Sequence, residues 1–108
     1  MLEEAVRTIQ AGGVERLTLR GIGDSLSVSR TALYRHFKDK SALLAEVACE
    51  GFRRLREDLL RAWEEGGRGW EGFDAMGVAY VRFAIGNPSH YRVMFGGFLG
   101  SQKPQGAL

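Results

Sequence analysis

The chain has 108 residues, of which 44% are hydrophobic, and it carries a formal net charge of +2. That size suits one small domain or slightly more, and the apolar share is ordinary for a globular protein. The single cysteine excludes an intrachain disulfide. No stretch has the roughly 18 continuous apolar residues of a membrane span, and nothing resembles a signal peptide, so we expect a cytoplasmic protein with no membrane partner.

Three short helices are predicted at the start of the chain, because apolar residues recur there three and four positions apart. The first ends at Gly12 and Gly13. Thr18 and Ser29 are good N-caps for the second and third. The apolar positions of the three helices are Leu2, Ala5, Val6 and Ile9, then Leu19, Ile22 and Leu26, then Leu33 and Phe37.

A long fourth helix is predicted to open at residues 39–41, and the stretch Gly-Gly-Arg-Gly then breaks it. A fifth helix begins at about Trp70. Asn87 is expected to cap a sixth helix with Pro88 in its first position, and His90 to be a surface or capping residue. No segment shows the alternation of a strand, so the fold is predicted to be all-α. The apolar face of the fourth helix reads Leu44, Ala48, Phe52, Leu55, Leu59 and Trp63.

The second and third helices have the pattern of a helix-turn-helix. Two short helices joined by a tight turn must cross closely, and Gly23 has the small size that such a crossing needs. Ser27 occupies the turn position, where a positive φ would cost serine about 1 kcal/mol relative to glycine. Val28 and Leu33 then fill the space between the two helices.

The same stretch resembles the DNA-binding domain of the TetR family of repressors. The family pattern Thr-x-x-x-Ile-Ala appears at residues 18–23 with Gly in the last position, and Val-Ser-x-x-x-Leu-Tyr-x-His-Phe appears at residues 28–37. Lys-x-x-Leu-Leu follows at residues 40–44. Ser27 stands where the family has Gly, and the family's basic arm before the first helix is absent.

The resemblance implies a three-helix DNA-binding domain over residues 1–47. A long linking helix and a partial helical ligand-binding and dimerisation domain would follow within residues 48–108. Relatives in this family are nearly twice as long, and their last helices form the dimer interface. We therefore expect this chain to represent a truncated form.

The resemblance also implies a set of DNA contacts, with the helix after Ser29 in the major groove. Arg30 is the best candidate to read guanine through two hydrogen bonds, Thr31 is polar enough to reach a base, and Ala32 permits close approach or touches a thymine methyl. Packing of the Tyr34 ring between helices, and plain surface roles for His36 and Lys40, stay open as alternatives. The phosphate candidates are Thr18, Ser29, Tyr34, His36 and Lys40.

Aromatic residues and methionines recur at helical spacing in the second half. Such residues are usually core, and as a set they would also suit a pocket for an apolar small molecule. The candidates for this pocket are Trp63, Phe73, Met76, Tyr80, Phe83, Tyr91, Met94 and Phe95.

The function predicted is a DNA-binding transcriptional repressor that a small-molecule inducer releases from its operator. It would act as a homodimer, with two recognition helices about one turn of DNA apart. The alternative is a helical protein-interaction module that has lost DNA binding. No catalytic arrangement, cofactor loop or metal-ligand set is present at usable spacing, so we expect neither an enzyme nor a cofactor or metal site.

Overall fold

A computed structural model describes residues 2–97 of the chain. Within this range the fold is all-α, as predicted, and contains no strand. None of the described helices combines the length and apolar character needed to cross a membrane. The elements in chain order are α1 (Leu2–Gly12), a 3-10 helix (Val14–Arg16), α2 (Leu19–Leu26), α3 (Arg30–His36), α4 (Lys40–Glu65), α5 (Gly69–Gly86) and α6 (Pro88–Phe95).

The 3-10 helix between α1 and α2 was not indicated by the sequence pattern. Gly13 precedes it with φ of 88°, a backbone angle that favours glycine. The short helix places Val14 and Leu17 in the core, where they are 3% and 0% exposed. It therefore bends the chain so that α2 returns to pack on α1.

Helix α4 is the axis on which the second half packs. The Asp39 carboxylate accepts a hydrogen bond from the backbone N–H of Ala42 at 2.9 Å, which caps the helix at the predicted start. Both α5 and α6 contact α4, and α6 also contacts α1. One buried cluster runs from Ala5 in α1 to Met94 in α6, so the two halves of the chain share a core.

Small residues set the closest helix contacts in the second half. A side-chain carbon at Gly51 of α4 would meet the sulfur of Met94 and come within 3.3 Å of Cβ of His90. A side-chain carbon at Gly72 of α5 would come within 2.9 Å of the Trp63 ring. These two glycines let α6 and α5 approach the backbone of α4.

Three expectations about individual residues were wrong. Leu26 is 38% exposed because it ends α2 at the turn, outside the packed face. Asn87 takes the N-cap position of α6 and Pro88 its first position, but the Asn87 side chain makes no cap bond there and donates to the carbonyl of Phe83 at the end of α5, at 3.1 Å. His90 is only 3% exposed, because α6 packs on α4 and the ring finds a buried partner there.

The partner of His90 is Glu50. His90 Nε2 lies 2.9 Å from Oε1 of Glu50, and the same oxygen lies 3.0 Å from a guanidinium nitrogen of Arg54. A buried ring nitrogen needs a hydrogen-bond partner, since an unsatisfied polar group costs about 1–3 kcal/mol. The contact therefore fixes α6 on α4 through a polar link beside the apolar one at Gly51.

We expect the substitution Gly51→Val to lower the free energy of unfolding by about 2 kcal/mol, because the new side chain overpacks the α4–α6 contact. The matched control is Gly86→Val, since a side-chain carbon at Gly86 would have no neighbour within 4 Å. Denaturant titration followed by circular dichroism measures both. Equal stability of the two variants would contradict the close packing at Gly51.

Candidate nucleic-acid interface

Helix α2 begins at the predicted N-cap. The Thr18 hydroxyl accepts a hydrogen bond from the backbone N–H of Gly21 at 3.0 Å. Leu19 and Ile22 are then buried at 6% and 2% exposure and attach α2 to the core. The opposite side of the helix, with Arg20, faces solvent.

The turn after α2 has the left-handed geometry anticipated for Ser27. This residue has φ of 56° and ψ of 37°. The N–H of Ser27 donates to the carbonyl of Asp24 at 3.3 Å, and the N–H of Val28 donates to that of Gly23 at 2.9 Å. This pair of bonds is the Schellman arrangement, which satisfies carbonyls at a helix end and reverses the chain.

Gly23 allows the close crossing of α2 and α3. A side-chain carbon there would lie 3.2 Å from the carbonyl oxygen of Val28 and 3.5 Å from Cδ2 of Leu33. The first distance is tighter than ordinary van der Waals contact between such atoms. Helices α2 and α3 are therefore packed across the turn as the helix-turn-helix pattern predicted.

Helix α3 is anchored on one side only. Its N-cap is Ser29, whose hydroxyl accepts a hydrogen bond from the N–H of Ala32 at 3.1 Å. Leu33 is 1% exposed and Phe37, the residue that ends the helix, is 8% exposed. All other α3 side chains point away from the core or lie at its margin.

The predicted DNA-contact residues lie on this outer surface. Tyr34 is 48% exposed, so its ring is not packed between helices. Ala32 and Lys40 are half-buried. The exposed members of the predicted set are Thr18, Ser29, Arg30, Thr31, Tyr34 and His36.

Arg20 is a further cation on the same surface that sequence reasoning missed. A groove between α2 and α3 is lined by Arg20, Arg30 and Tyr34, together with one acid, Asp24. The sequence could have indicated this position, because Arg20 lies in the first turn after the Thr18 cap, on the side opposite the apolar Leu19 and Ile22.

The cations of this surface are not neutralised by neighbouring carboxylates. The ion pairs within residues 2–97 lie elsewhere, on α1, on α4 and around Arg68 and His90. Five cations lie on or beside this surface, and none of them has a carboxylate within 4 Å among residues 2–97: Arg20, Arg30, Arg35, Lys38 and Lys40. The surface therefore presents positive charge that is available to an external anion.

The predicted ligand-pocket residues are divided among three places. Phe83 and Met94 lie in the core, and Trp63 packs against Gly72. Phe73 is 62% exposed on the outer side of α5, and Met76 is half-buried. An aromatic cluster between α4, α5 and α6 contains the remaining three predicted residues together with Phe52, and its members are Phe52, Tyr80, Tyr91 and Phe95.

Within the aromatic cluster, two phenols are joined. The hydroxyl oxygens of Tyr80 and Tyr91 lie 3.0 Å apart, and this hydrogen bond raises the pKa of Tyr80. A groove of about 560 Å³ between α4 and α5 is lined by charged and small residues including Asp58, Arg61 and Arg82. None of the predicted ligand residues lines that groove.

Comparison with known proteins bears on the first half of the fold. Residues 1–47 match the model of a family described as bacterial regulatory proteins, tetR family. The match begins with α1 and extends into the second turn of α4. Over residues 1–47 the chain is therefore similar to the TetR family. The helix-turn-helix of this TetR-like domain is formed by α2 and α3.

Two relatives extend the likeness beyond residues 1–47. One is a Bacillus subtilis (strain 168) protein named "Uncharacterized HTH-type transcriptional regulator YobS", 28% identical over 84% of this chain and 47% of that protein. The other is a solved structure of a protein with unknown function from Rhodococcus sp. RHA1, with a TM-score of 0.79 and 38% identity over 88% of this chain and 50% of that one. The chain thus spans about half the length of each.

The left-handed residue in the turn gives a direct stability prediction. Replacing Ser27 by glycine removes the steric cost of a positive φ, and we expect it to stabilise the protein by about 0.5–1 kcal/mol. The matched control is Ser25→Gly, two residues earlier and inside α2, which should destabilise by about 0.5 kcal/mol. Thermal unfolding measures both, and a loss of stability in both variants would contradict the geometry of the turn.

Proposed function

We propose that this chain is a transcriptional regulator that binds double-stranded DNA through α3, in the cytoplasm of a bacterium. The observation that carries the proposal is the one-sided anchoring of α3. Leu33 and Phe37 hold the helix, while most of its other side chains face solvent, and the five cations on or beside it have no carboxylate within 4 Å. A short exposed helix with surrounding positive charge suits the major groove and its flanking phosphates.

Each residue of the surface has a proposed role. Arg30 reads guanine, Thr31 reaches a neighbouring base, and Ala32 lets the helix approach closely. The hydroxyls of Thr18, Ser29 and Tyr34, the ring of His36, and the ammonium of Lys40 contact phosphates. Arg20 lies across the α2–α3 groove from Arg30 and adds a further phosphate contact.

Repression and release by an inducer are the regulatory part of the proposal. The active form would be a homodimer on a near-palindromic operator, so that a change in the spacing of two α3 helices weakens binding. A small apolar molecule that favours one arrangement of α5 and α6 would shift that spacing. Two features support such coupling. Helix α4 runs without a break from Lys40 into the second half, and α6 contacts α1 directly.

A second candidate is a helical protein-interaction module without DNA binding. The exposed apolar side chains of α5 favour it, since such patches commonly mark protein contacts. The overall charge of +2 also gives little general attraction to DNA. The salt dependence of DNA affinity separates the two candidates.

We expect the affinity for duplex DNA to fall at least about 30-fold between 50 and 200 mM salt, because three or more phosphate contacts release counterions. Fluorescence anisotropy with a labelled random duplex measures this. A binding module without a DNA function would show weak affinity with little dependence on salt, and that result would overturn the proposal.

The division between base-reading and phosphate-contacting residues is also testable. With an operator selected from a random duplex library, Arg30→Ala should lose about 1–3 kcal/mol of discrimination between operator and random DNA. Lys40→Ala should lower the affinity for both duplexes equally and reduce the slope of log affinity against log salt concentration by about one.

The control for both variants is Arg56→Ala. This exposed arginine lies on α4 about 24 Å from Lys40 along the helix axis. It should leave affinity and discrimination unchanged. An equal loss of discrimination in the Arg30 and Lys40 variants would contradict the division of roles.

A further inference from the structure

An acid lies among the cations of the proposed DNA-binding surface. Asp24 lines the groove of about 300 Å³ between α2 and α3, together with Arg20 and Arg30. Residues 18–40 contain one other acid, Asp39, and its carboxylate is engaged as the cap of α4. The Asp24 carboxylate makes no hydrogen bond and no ion pair within residues 2–97. Three charged side chains without a partner therefore line one groove.

Helix α2 gains nothing from a negative charge at position 24. Asp24 lies in the last turn of α2, where the free carbonyl groups carry partial negative charge and a carboxylate is unfavourable. Aspartate is also among the weaker helix formers. Its side chain is exposed, and the bond from Ser27 to position 24 uses the backbone carbonyl, which any residue supplies.

Contact with phosphates does not favour the acid either. A carboxylate on a surface that meets the DNA backbone is repelled, so it lowers the affinity for every duplex alike. Such an acid is favourable when it accepts hydrogen bonds from a cation or from the amino group of a base. The groove supplies two cations, Arg20 and Arg30.

Arg30 is the better partner of the two. Arg20 and Asp24 lie four positions apart on α2 with the cation first, which is the less favourable order for such a pair. Arg30 stands on the other helix, in the first position of α3, and Gly23 beside Asp24 holds the two helices close. The Asp24 carboxylate therefore reaches Arg30 across the groove by side-chain rotation alone.

A pairing with Asp24 would restrict the Arg30 side chain in a useful way. Two hydrogen bonds to guanine require the guanidinium to lie in the plane of the base, and ordering a long free side chain lowers the affinity. A guanidinium has five N–H donors, so it can bond to guanine and to a carboxylate at the same time. A carboxylate on the neighbouring helix would thus fix the plane in advance.

We infer that Asp24 is a positioning residue, whose carboxylate pairs with Arg30 across the α2–α3 groove in the DNA complex and orients the guanidinium toward guanine. The inference rests on the proposed function and deepens it, because it names a determinant of sequence specificity on α2. It also accounts for the sign of the charge, since Asp24 lowers affinity for all DNA and raises discrimination at one base pair.

The experiment uses an operator selected from a random duplex library, with each base pair changed in turn and affinities measured by fluorescence anisotropy. Arg30→Ala identifies the base pair that Arg30 reads. Asp24→Asn should lower discrimination at that base pair by about three- to tenfold and leave the other positions unchanged. The same variant should raise the affinity for random duplex about twofold at low salt, because a negative charge is removed. A variant that folds poorly would instead lose affinity for both duplexes.

A double-mutant cycle tests the pairing itself. At the base pair that Arg30 reads, Asp24→Asn combined with Arg30→Ala should discriminate as Arg30→Ala does alone. The matched control is Glu57→Gln, which removes an exposed acid of α4 that has no ion pair within residues 2–97. It should change neither affinity nor discrimination. Circular dichroism checks the helix content of each variant.

Three results would overturn the inference and leave DNA binding in place. One is an unchanged base profile in Asp24→Asn. Another is a loss at a base pair that Arg30→Ala does not affect, because Asp24 would then read a base itself. The third is a coupling of Asp24 with Arg20 and none with Arg30. If the unaltered chain selects no operator, the proposed function fails, and the inference fails with it.

Discussion

The close approach of α2 and α3 at Gly23 is the constraint on which the presentation of α3 depends. Because the carbonyl of Val28 lies near Gly23, the turn has room for a single left-handed residue, Ser27. The turn then directs Leu33 inward, where it is 1% exposed, and leaves the neighbouring positions of α3 outside. A larger residue at position 23 would move α3 off its support, and the side chains proposed to read bases would lose their common orientation.

The second half of the chain supports α3 through a shared core. Helix α4 continues from Lys40 into the second half without interruption, and α6 packs both on α4 and on α1. The glycine contact at Gly51 and the His90–Glu50 hydrogen bond fix α6 at this junction. A displacement of α6 would therefore act on α1 directly as well as through α4, so the proposed control by a ligand would have two physical routes.

Helical spacing and N-cap residues predicted most of the helices from the sequence. The features that were missed depend on partners far away along the chain. The caps at Thr18 and Ser29 bond to residues three positions away, so the local sequence identified them, and it placed the start of α4, which Asp39 caps, within residues 39–41. His90 is bonded to Glu50, 40 positions earlier, and no local pattern reveals that pairing. The predicted ligand residues lie in several places for a related reason: helical spacing shows that aromatic residues share a side, but not which neighbour faces that side.

The central claim is that the outer side of α3 is the surface that meets DNA. The most direct measurement is two-dimensional NMR of the ¹⁵N-labelled chain titrated with duplex DNA. The account predicts that the largest amide shifts fall in residues 28–37, with smaller ones at the starts of α2 and α4 and none on the outer side of α5. Shifts confined to α5 and α6, or no shifts at all, would contradict it.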